Sequence, residues 1–92
     1  MKKVEINGKD YYFKVTIAAA KKFKNKFKCD VTVMSVSDVE HVQYLIYYGL
    51  EAGCKIEGVK FDLTVESFDD YSIVELTELF IKSMGEGKKD PK

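Results

Sequence analysis

Residues 37–53 constrain the fold most, because their pattern is that of one long amphipathic helix. They read SDVEHVQYLIYYGLEAG. Ser37 followed three residues later by Glu40 is a capping box, in which each side chain accepts a hydrogen bond from the other residue's backbone N–H. At 100° per residue, one side of this helix is apolar or small and is predicted to face the core. That side holds Val39, Val42, Ile46, Gly49, Leu50 and Gly53.

The opposite side of this helix carries tyrosines where an ordinary amphipathic helix is polar. Tyr44, Tyr47 and Tyr48 lie between Glu40 and Glu51. Tyrosine rings offer wide contact area with few torsions to freeze, so this side is a candidate partner-binding surface. The alternative is that the rings pack beneath the hairpin or the last helix of the same chain.

Two glycines and one histidine in this stretch need separate interpretation. Gly49 and Gly53 lie four residues apart on the core side. This spacing favours close helix packing, or a helix that ends near Gly53, over a dimerisation motif. His41 is predicted to lie on the surface, because no second ligand or base accompanies it in the sequence.

The start of the chain predicts a β-hairpin. Alternating apolar residues flank Asn7-Gly8, a pair that accepts positive φ and is a strong hairpin signal. One face would present Val4, Ile6, Tyr11, Phe13 and Val15. A lone hairpin is marginally stable in water, so it must pack on helices or gain another strand.

A lysine-rich first helix is predicted to begin after the capping residue Thr16 and to run to about Lys28. Its expected buried stripe is Ile17, Ala20, Phe23 and Phe27. Its outer face carries Lys21, Lys22, Lys24, Lys26 and Lys28. This face is either a solvated surface or a docking face for an acidic partner, with Lys21, Lys22 and Lys24 as candidate binding residues.

The remaining segments are shorter. Residues 31–36 form either a short strand or an extended approach to the central helix, and residues 54–63 are expected to be a connection. Residues 64–71 predict a short acidic helix capped by Thr64. Ser72 and Glu75 form a second capping box before a last helix that ends near Gly85. Its expected stripe is Ile73, Leu76, Phe80 and Met84, widened by Val74 and Leu79.

The predicted fold class is therefore α+β. An N-terminal β-hairpin precedes a mainly helical bundle of three main helices and one short helix. Residues 1–84 are expected to form a single domain, and residues 85–92 a disordered, flexible tail, because they contain no apolar side chain.

Charge is unevenly distributed along the chain. Residues 1–29 hold nine lysines and two acids, a net charge of +7, whereas residues 30–92 hold six lysines and thirteen acids, a net charge of −7. Such a chain can fold back on itself, stack head to tail, or offer each sign to a different partner. There is no arginine, the preferred bidentate group for phosphate and guanine, so nucleic acid is not expected as a partner.

Composition also bears on compartment and chemistry. Cys29 and Cys54 are expected to be buried free thiols, with a disulfide as the alternative. No signal peptide or membrane-length apolar run occurs, so a soluble, cytoplasmic protein is expected. No catalytic, phosphate-binding or metal-binding motif is present, so neither enzymatic activity nor a cofactor or metal is expected.

The segment INGKDYYFK at residues 6–14 resembles the start of small tail assembly chaperones of long-tailed phages and prophages of Gram-positive bacteria. The order that follows is also similar: a helix, a central helix of the type at residues 42–50, a segment like LTVESF at residues 63–68, and a last helix. The resemblance covers most of residues 4–84. It implies a bacterial host cytoplasm, no cofactor, no catalysis, and binding to the helical tape measure protein before the tail tube polymerises.

The resemblance further implies self-association and a frameshift-extended form of the chain as a second partner. Codons for Gly87-Lys88-Lys89 can spell a slippery run, and a coding sequence without a slippery heptamer near Lys88 would remove that expectation. Two alternatives remain open. One is a small nucleic-acid-associated or regulatory protein that uses the lysine-rich helix, and the other is a structural virion connector.

Overall fold

A computed structural model describes residues 2–35 and 37–84, which pack around one hydrophobic core. The predicted α+β class, with a hairpin before three main helices, is confirmed. The short acidic helix predicted at residues 64–71 is a 3₁₀ turn of four residues. The elements are β1 (Lys2–Ile6), β2 (Lys9–Phe13), α1 (Ile17–Phe27), a 3₁₀ turn (Val31–Val33), α2 (Val39–Glu57), a second 3₁₀ turn (Val65–Phe68) and α3 (Ile73–Met84). Val36 and the expected tail at residues 85–92 lie outside the described residues.

The hairpin forms as its turn sequence predicts. Strands β1 and β2 are antiparallel, and Asn7 and Gly8 adopt φ values of 53° and 79°, as a tight hairpin turn requires. Its inner face buries Val4, Ile6, Tyr11 and Phe13, with Val15 partly buried beside them. The predicted apolar face is therefore confirmed.

Helix α2 is the centre of the molecule. It packs against β2, with α1 and α3 also resting on it. Its two core glycines permit the close approach of the hairpin: a Cβ at Gly49 would meet the Phe13 ring, and a Cβ at Gly53 would meet the Tyr12 carbonyl oxygen. The close-packing interpretation is confirmed, but the partner is a strand rather than a helix.

Both predicted ends of the central helix are wrong. The N-cap is Asp38 rather than Ser37, because the Asp38 carboxylate accepts hydrogen bonds from the N–H groups of Glu40 (3.1 Å) and His41 (3.4 Å). The helix continues to Glu57 and ends at Gly58, which has a φ of 73°. Residues 54–57, expected in the connection, are therefore helical, because Gly53 serves packing and does not end the helix.

Several apolar residues predicted to be buried are exposed. Ile17 is 78% exposed because it lies about 120° around α1 from Phe23, which faces the core with Ala19. Val39, in the first turn of α2, is 41% exposed. In α3 the buried residues are Leu76, Leu79 and Ser83, and Phe80 is half-buried. Exposed positions there are Ile73, Val74 and Met84.

Three further residues or segments depart from expectation. Residues 31–33 form a 3₁₀ turn, and the described part of residues 31–36 contains no strand. His41 is not a surface residue: its side chain is 17% exposed and its ring packs on Phe23 (5.4 Å) and Phe27 (4.5 Å). Both cysteines are free thiols, but Cys29 is only half-buried, whereas Cys54 is buried.

Candidate functional site

The three tyrosines of α2 belong to a continuous row of rings along one flank of the helix. The row runs from Phe27 through Tyr44, Tyr48 and Tyr47 to Phe61, with ring centroids 5.4 to 5.7 Å apart. All three tyrosines are half-buried. Their ring partners come from α1 and from the extended segment after α2, so the tyrosines are neither a free surface nor covered by ring contacts from the hairpin or α3.

Burial and a neighbouring cation act on different members of the tyrosine row. Burial raises the pKa of both Tyr47 and Tyr48 above the usual value. The Lys26 ammonium lies 4.7 Å from the centre of the Tyr44 ring, a cation–π contact. The row therefore combines apolar ring faces with nearby cations.

A groove of about 350 Å³ lies beside this row, between α1 and the C-terminal half of α2. Alanines on the two facing helices give it depth, because their small side chains leave space that larger residues would fill. Tyr48 closes one side and Ile56, which is 54% exposed, contributes an apolar wall. The lining residues are Thr16, Ala18, Ala19, Lys22, Tyr48, Glu51, Ala52, Lys55 and Ile56.

Charged residues form the rim of the groove. Lys22 of α1 donates to a Glu51 carboxylate oxygen of α2 at 2.9 Å, joining the two walls. This hydrogen bond is the main reason that the pKa of Lys22 is raised. Lys55 also lines the groove, so charged side chains of both signs lie beside its alanine and isoleucine side chains.

The groove contains only some of the residues that were predicted to bind a partner. Tyr48 and Lys22 both line the groove, while Tyr44 and Tyr47 reach it only through ring contacts with Tyr48. Lys21 and Lys24 are exposed outside it, and Lys24 lies 3.6 Å from Asp30.

Sequence reasoning missed Ala18, Ala52, Lys55 and Ile56. Lys55 and Ile56 belong to the last turn of α2, beyond the end predicted from Gly53. The signal was present, because Ala52 and Ile56 continue the helical i, i+4 spacing past that glycine.

A second surface, named here the α3 stripe, was also missed. It consists of Ile73, Val74, Thr77, Ile81 and Met84, which fall within about 100° of arc on α3. The four large apolar side chains are 45% to 68% exposed. The Thr77 hydroxyl donates to the Ile73 carbonyl oxygen at 2.8 Å, so its donor is already used within the helix. Helix α3 is thus apolar both toward the core and toward solvent.

Comparison with known protein families, curated proteins and solved structures found no match. Across residues 2–35 and 37–84, no helix has the length and apolar character needed to cross a membrane. The same residues contain no group of three His, Cys, Asp or Glu side chains placed to hold a metal ion.

Proposed function

We propose that this protein is a tail assembly chaperone of a phage or prophage. It binds an amphipathic helix of the tape measure protein, keeps that protein soluble in the bacterial cytoplasm, and assists assembly of the tail tube. The observation that carries the proposal is the groove between α1 and α2. Such a role needs a binding surface and no catalytic group.

The groove suits a helical client for three reasons. Its interior is apolar and shaped by Ala18 and Ala52, so protruding aliphatic side chains can enter it. Tyr48 supplies a rigid ring at its edge, and rigid aromatic residues are frequent anchors of binding energy. Lys22, Glu51 and Lys55 on the rim can meet the polar flanks of an amphipathic helix.

The nucleic-acid alternative is weakened by the contacts of the lysine-rich helix. Lys22 is paired with Glu51, Lys24 lies near Asp30, and Lys26 lies over Tyr44. These contacts partly satisfy three of the five lysines that a phosphate backbone would need. The alternative predicts DNA binding that weakens steeply as salt increases.

The test is co-expression with the tape measure protein encoded downstream, followed by size-exclusion chromatography with light scattering. Ile56→Lys places a charge on the apolar wall of the groove at an exposed position in the last turn of α2, where lysine is favourable for the helix. We expect this variant to fold normally and to bind the client at least about tenfold more weakly, a loss of about 1.4 kcal/mol.

The matched control is Val33→Lys, which adds the same charge at an apolar residue that is 69% exposed. Val33 lies in the 3₁₀ turn that follows α1, whereas the groove lies at the N-terminal part of α1. This variant should retain client binding. Failure of the wild-type protein to keep the client soluble would overturn the proposal, and DNA binding would then support the alternative.

A further inference from the structure

The hairpin is a sheet of only two strands, so each strand has an outer edge whose backbone groups must find partners elsewhere. Ile6 pairs with Lys9 across the two-residue turn, and in such a hairpin this pair exchanges both backbone hydrogen bonds. Because the pattern alternates, the N–H and C=O groups of Lys3 and Glu5 point outward from β1, and those of Tyr12 point outward from β2.

The outer edges of the two strands differ in how they are covered. The Tyr12 N–H donates to the Cys54 sulfur at 3.4 Å, and the Lys14 N–H, two positions further along, donates to the Gly49 carbonyl oxygen at 3.1 Å. Helix α2 therefore covers the edge of β2. On β1, the outward-facing backbone groups form no hydrogen bond with any residue among 2–35 and 37–84, so this edge is open to an added strand.

A cleft of about 300 Å³ lies beside this open edge, between the end of β1 and α3. We name it the β1 cleft, and its lining residues are Glu5, Asn7, Tyr71, Glu75, Glu78, Leu79 and Lys82. It shares no lining residue with the groove between α1 and α2. A strand added to β1 would direct every second side chain to the side of the sheet that packs on α3, where this cleft lies.

The side chains of the β1 cleft favour a cationic guest. Three carboxylates and one ammonium line it, a net formal charge of −2, so Lys82 offsets only one of the glutamates. With the described residues, Glu5, Glu78 and Lys82 form no ion pair, while a Glu75 carboxylate oxygen accepts the Ser72 N–H at 2.9 Å. The Glu5 and Glu78 carboxylates are therefore available to an ammonium or guanidinium group from another molecule.

We propose that an extended segment of a partner protein, with lysine or arginine at alternate positions, adds to β1 as a third strand. Its backbone bonds to the outward-facing groups of Lys3 and Glu5, and its basic side chains enter the β1 cleft. The added strand is antiparallel to β1, which continues the hairpin and is the more stable pairing per residue. Main-chain hydrogen bonds supply affinity, and the carboxylates select the sequence.

Charge also argues against a second copy of this chain as the occupant. Two copies joined through their β1 edges would bring two β1 clefts, each of net negative charge, close together. Like charges placed together across an interface are unfavourable, whereas a basic segment of another protein is attracted to the same carboxylates.

The experiment uses the full chain and a blocked synthetic peptide of alternating lysine and valine. About seven residues are enough to span the five residues of β1. Calorimetric titration should detect binding of this peptide, and a peptide of alternating glutamate and valine should bind at least about tenfold more weakly. Hydrogen exchange followed by NMR should show that the Lys3 and Glu5 N–H groups become protected when the peptide is bound.

Backbone methylation of the peptide separates strand addition from simple charge attraction. In an antiparallel strand with its lysines in the β1 cleft, the valine amides face β1 and the lysine amides face solvent. Methylating the valine nitrogens should therefore abolish binding, and methylating the lysine nitrogens should preserve it. Equal binding of the two methylated peptides would overturn the proposal.

A charge reversal on the protein tests the location of the site. Glu78→Lys changes an exposed lining residue of the β1 cleft, and the matched control Glu57→Lys makes the same change at an exposed residue in the last turn of α2. We expect Glu78→Lys to bind the peptide at least about tenfold more weakly and the control to bind it like the wild type. Circular dichroism checks that both are folded. Equal peptide affinity of the two variants would overturn the proposed site.

The remaining outcomes concern other occupants of the edge. Protection of the Lys3 and Glu5 N–H groups in the dilute protein without peptide would mean that a segment outside the described residues already fills it. A doubled mass in light scattering with the same protection would mean that a second copy fills it, and either result overturns the proposal. Ile56→Lys, which changes the α1–α2 groove, should bind the peptide normally, so a failure of client binding does not affect this test.

Discussion

Single glycines determine how closely the hairpin can approach α2. At Gly53 the helix lies directly against the β2 backbone, and the Cys54 sulfur accepts a hydrogen bond from the Tyr12 N–H at 3.4 Å. At Gly49 the neighbour is a side chain, the Phe13 ring, and the Gly49 carbonyl oxygen accepts a bond from the Lys14 N–H at 3.1 Å. The two positions therefore differ in how far their neighbours can yield.

Gly53→Ala should destabilise the protein by about 1–3 kcal/mol, because the added methyl group would overlap the Tyr12 carbonyl oxygen and force the backbone apart. The gain of about 1 kcal/mol in helix propensity offsets only part of this overlap. Equilibrium unfolding in urea measures the change in the free energy of unfolding.

Gly49→Ala is the comparison variant, since its methyl group would meet the Phe13 side chain, which can shift more easily than a backbone carbonyl group. We expect Gly49→Ala to lower the free energy of unfolding by less than Gly53→Ala does. A Gly53→Ala protein as stable as the wild type would contradict the close packing of β2 on α2.

At the scale of elements, the N-terminus of α2 provides a direct test of which residue caps the helix. The Asp38 carboxylate accepts two backbone hydrogen bonds, whereas the Ser37 N–H and hydroxyl both pair with the Ser35 hydroxyl. Asp38→Ala should therefore cost about 1 kcal/mol of stability, and Ser37→Ala should change it little. Urea unfolding of both variants measures the difference, and a larger loss for Ser37→Ala would restore the capping box that the sequence suggested.

The sequence predicted element types well because their signals are local. Asn7-Gly8 specifies the hairpin turn, Thr16 accepts a hydrogen bond from the Ala19 N–H at 3.1 Å, and Ser72 with Glu75 forms the reciprocal capping box. None of these features depends on distant residues, so each could be predicted from the sequence without knowledge of the fold.

The buried faces and the site depended on tertiary contacts and were harder to predict. Helix α3 is apolar over more than half of its circumference, so its sequence could not select Leu76 and Leu79 over Ile73 as the buried residues. Gly53 looked like a helix end because its contact, the Tyr12 backbone, is 41 positions away along the chain. That error removed Lys55 and Ile56 from the helix and concealed the groove.

At the scale of the whole molecule, ionisation links distant segments. Asp62, in the segment after α2, accepts hydrogen bonds from the Lys9 ammonium and the Tyr11 hydroxyl, both at 2.8 Å. The pKa of the Asp62 carboxyl is lowered, chiefly by Lys9. Burial is the largest cause of the raised pKa of Tyr11. The hydrogen bond to Asp62 is the largest cause of the raised pKa of Lys9.

Alkaline pH should destabilise the protein. The raised pKa values of Tyr11, Tyr47, Tyr48 and Tyr71 mean that the folded state holds these protons more tightly than the unfolded chain. Their stabilising effect is complete below the unfolded tyrosine pKa of about 10 and is lost as pH rises through the folded values. The raised pKa values of Lys9 and Lys22 likewise stabilise the folded state at lower pH and lose this effect as pH rises.

Thermal melting followed by circular dichroism at several pH values, from about pH 8 upward, measures this loss, and tyrosinate absorbance follows the ionisation. The effect of pH on stability has the opposite sign for Asp62. Its stabilising contribution is present above about pH 4 and is lost as acid protonates the carboxylate. A melting temperature that stays constant through the tyrosine ionisation range would contradict the predicted linkage.

The row of rings beside the groove also makes the protein its own optical reporter. The chain contains six tyrosines and no tryptophan, so its ultraviolet emission comes from phenols alone. Tyr48 lines the groove, and Tyr44 and Tyr47 lie within 5.7 Å of it, close enough to exchange excitation. A helix without tyrosine or tryptophan that enters the groove would change the surroundings of Tyr48 directly and, through exchange of excitation, the emission of Tyr44 and Tyr47. Binding in the groove can thus be followed by intrinsic tyrosine fluorescence without attaching a label.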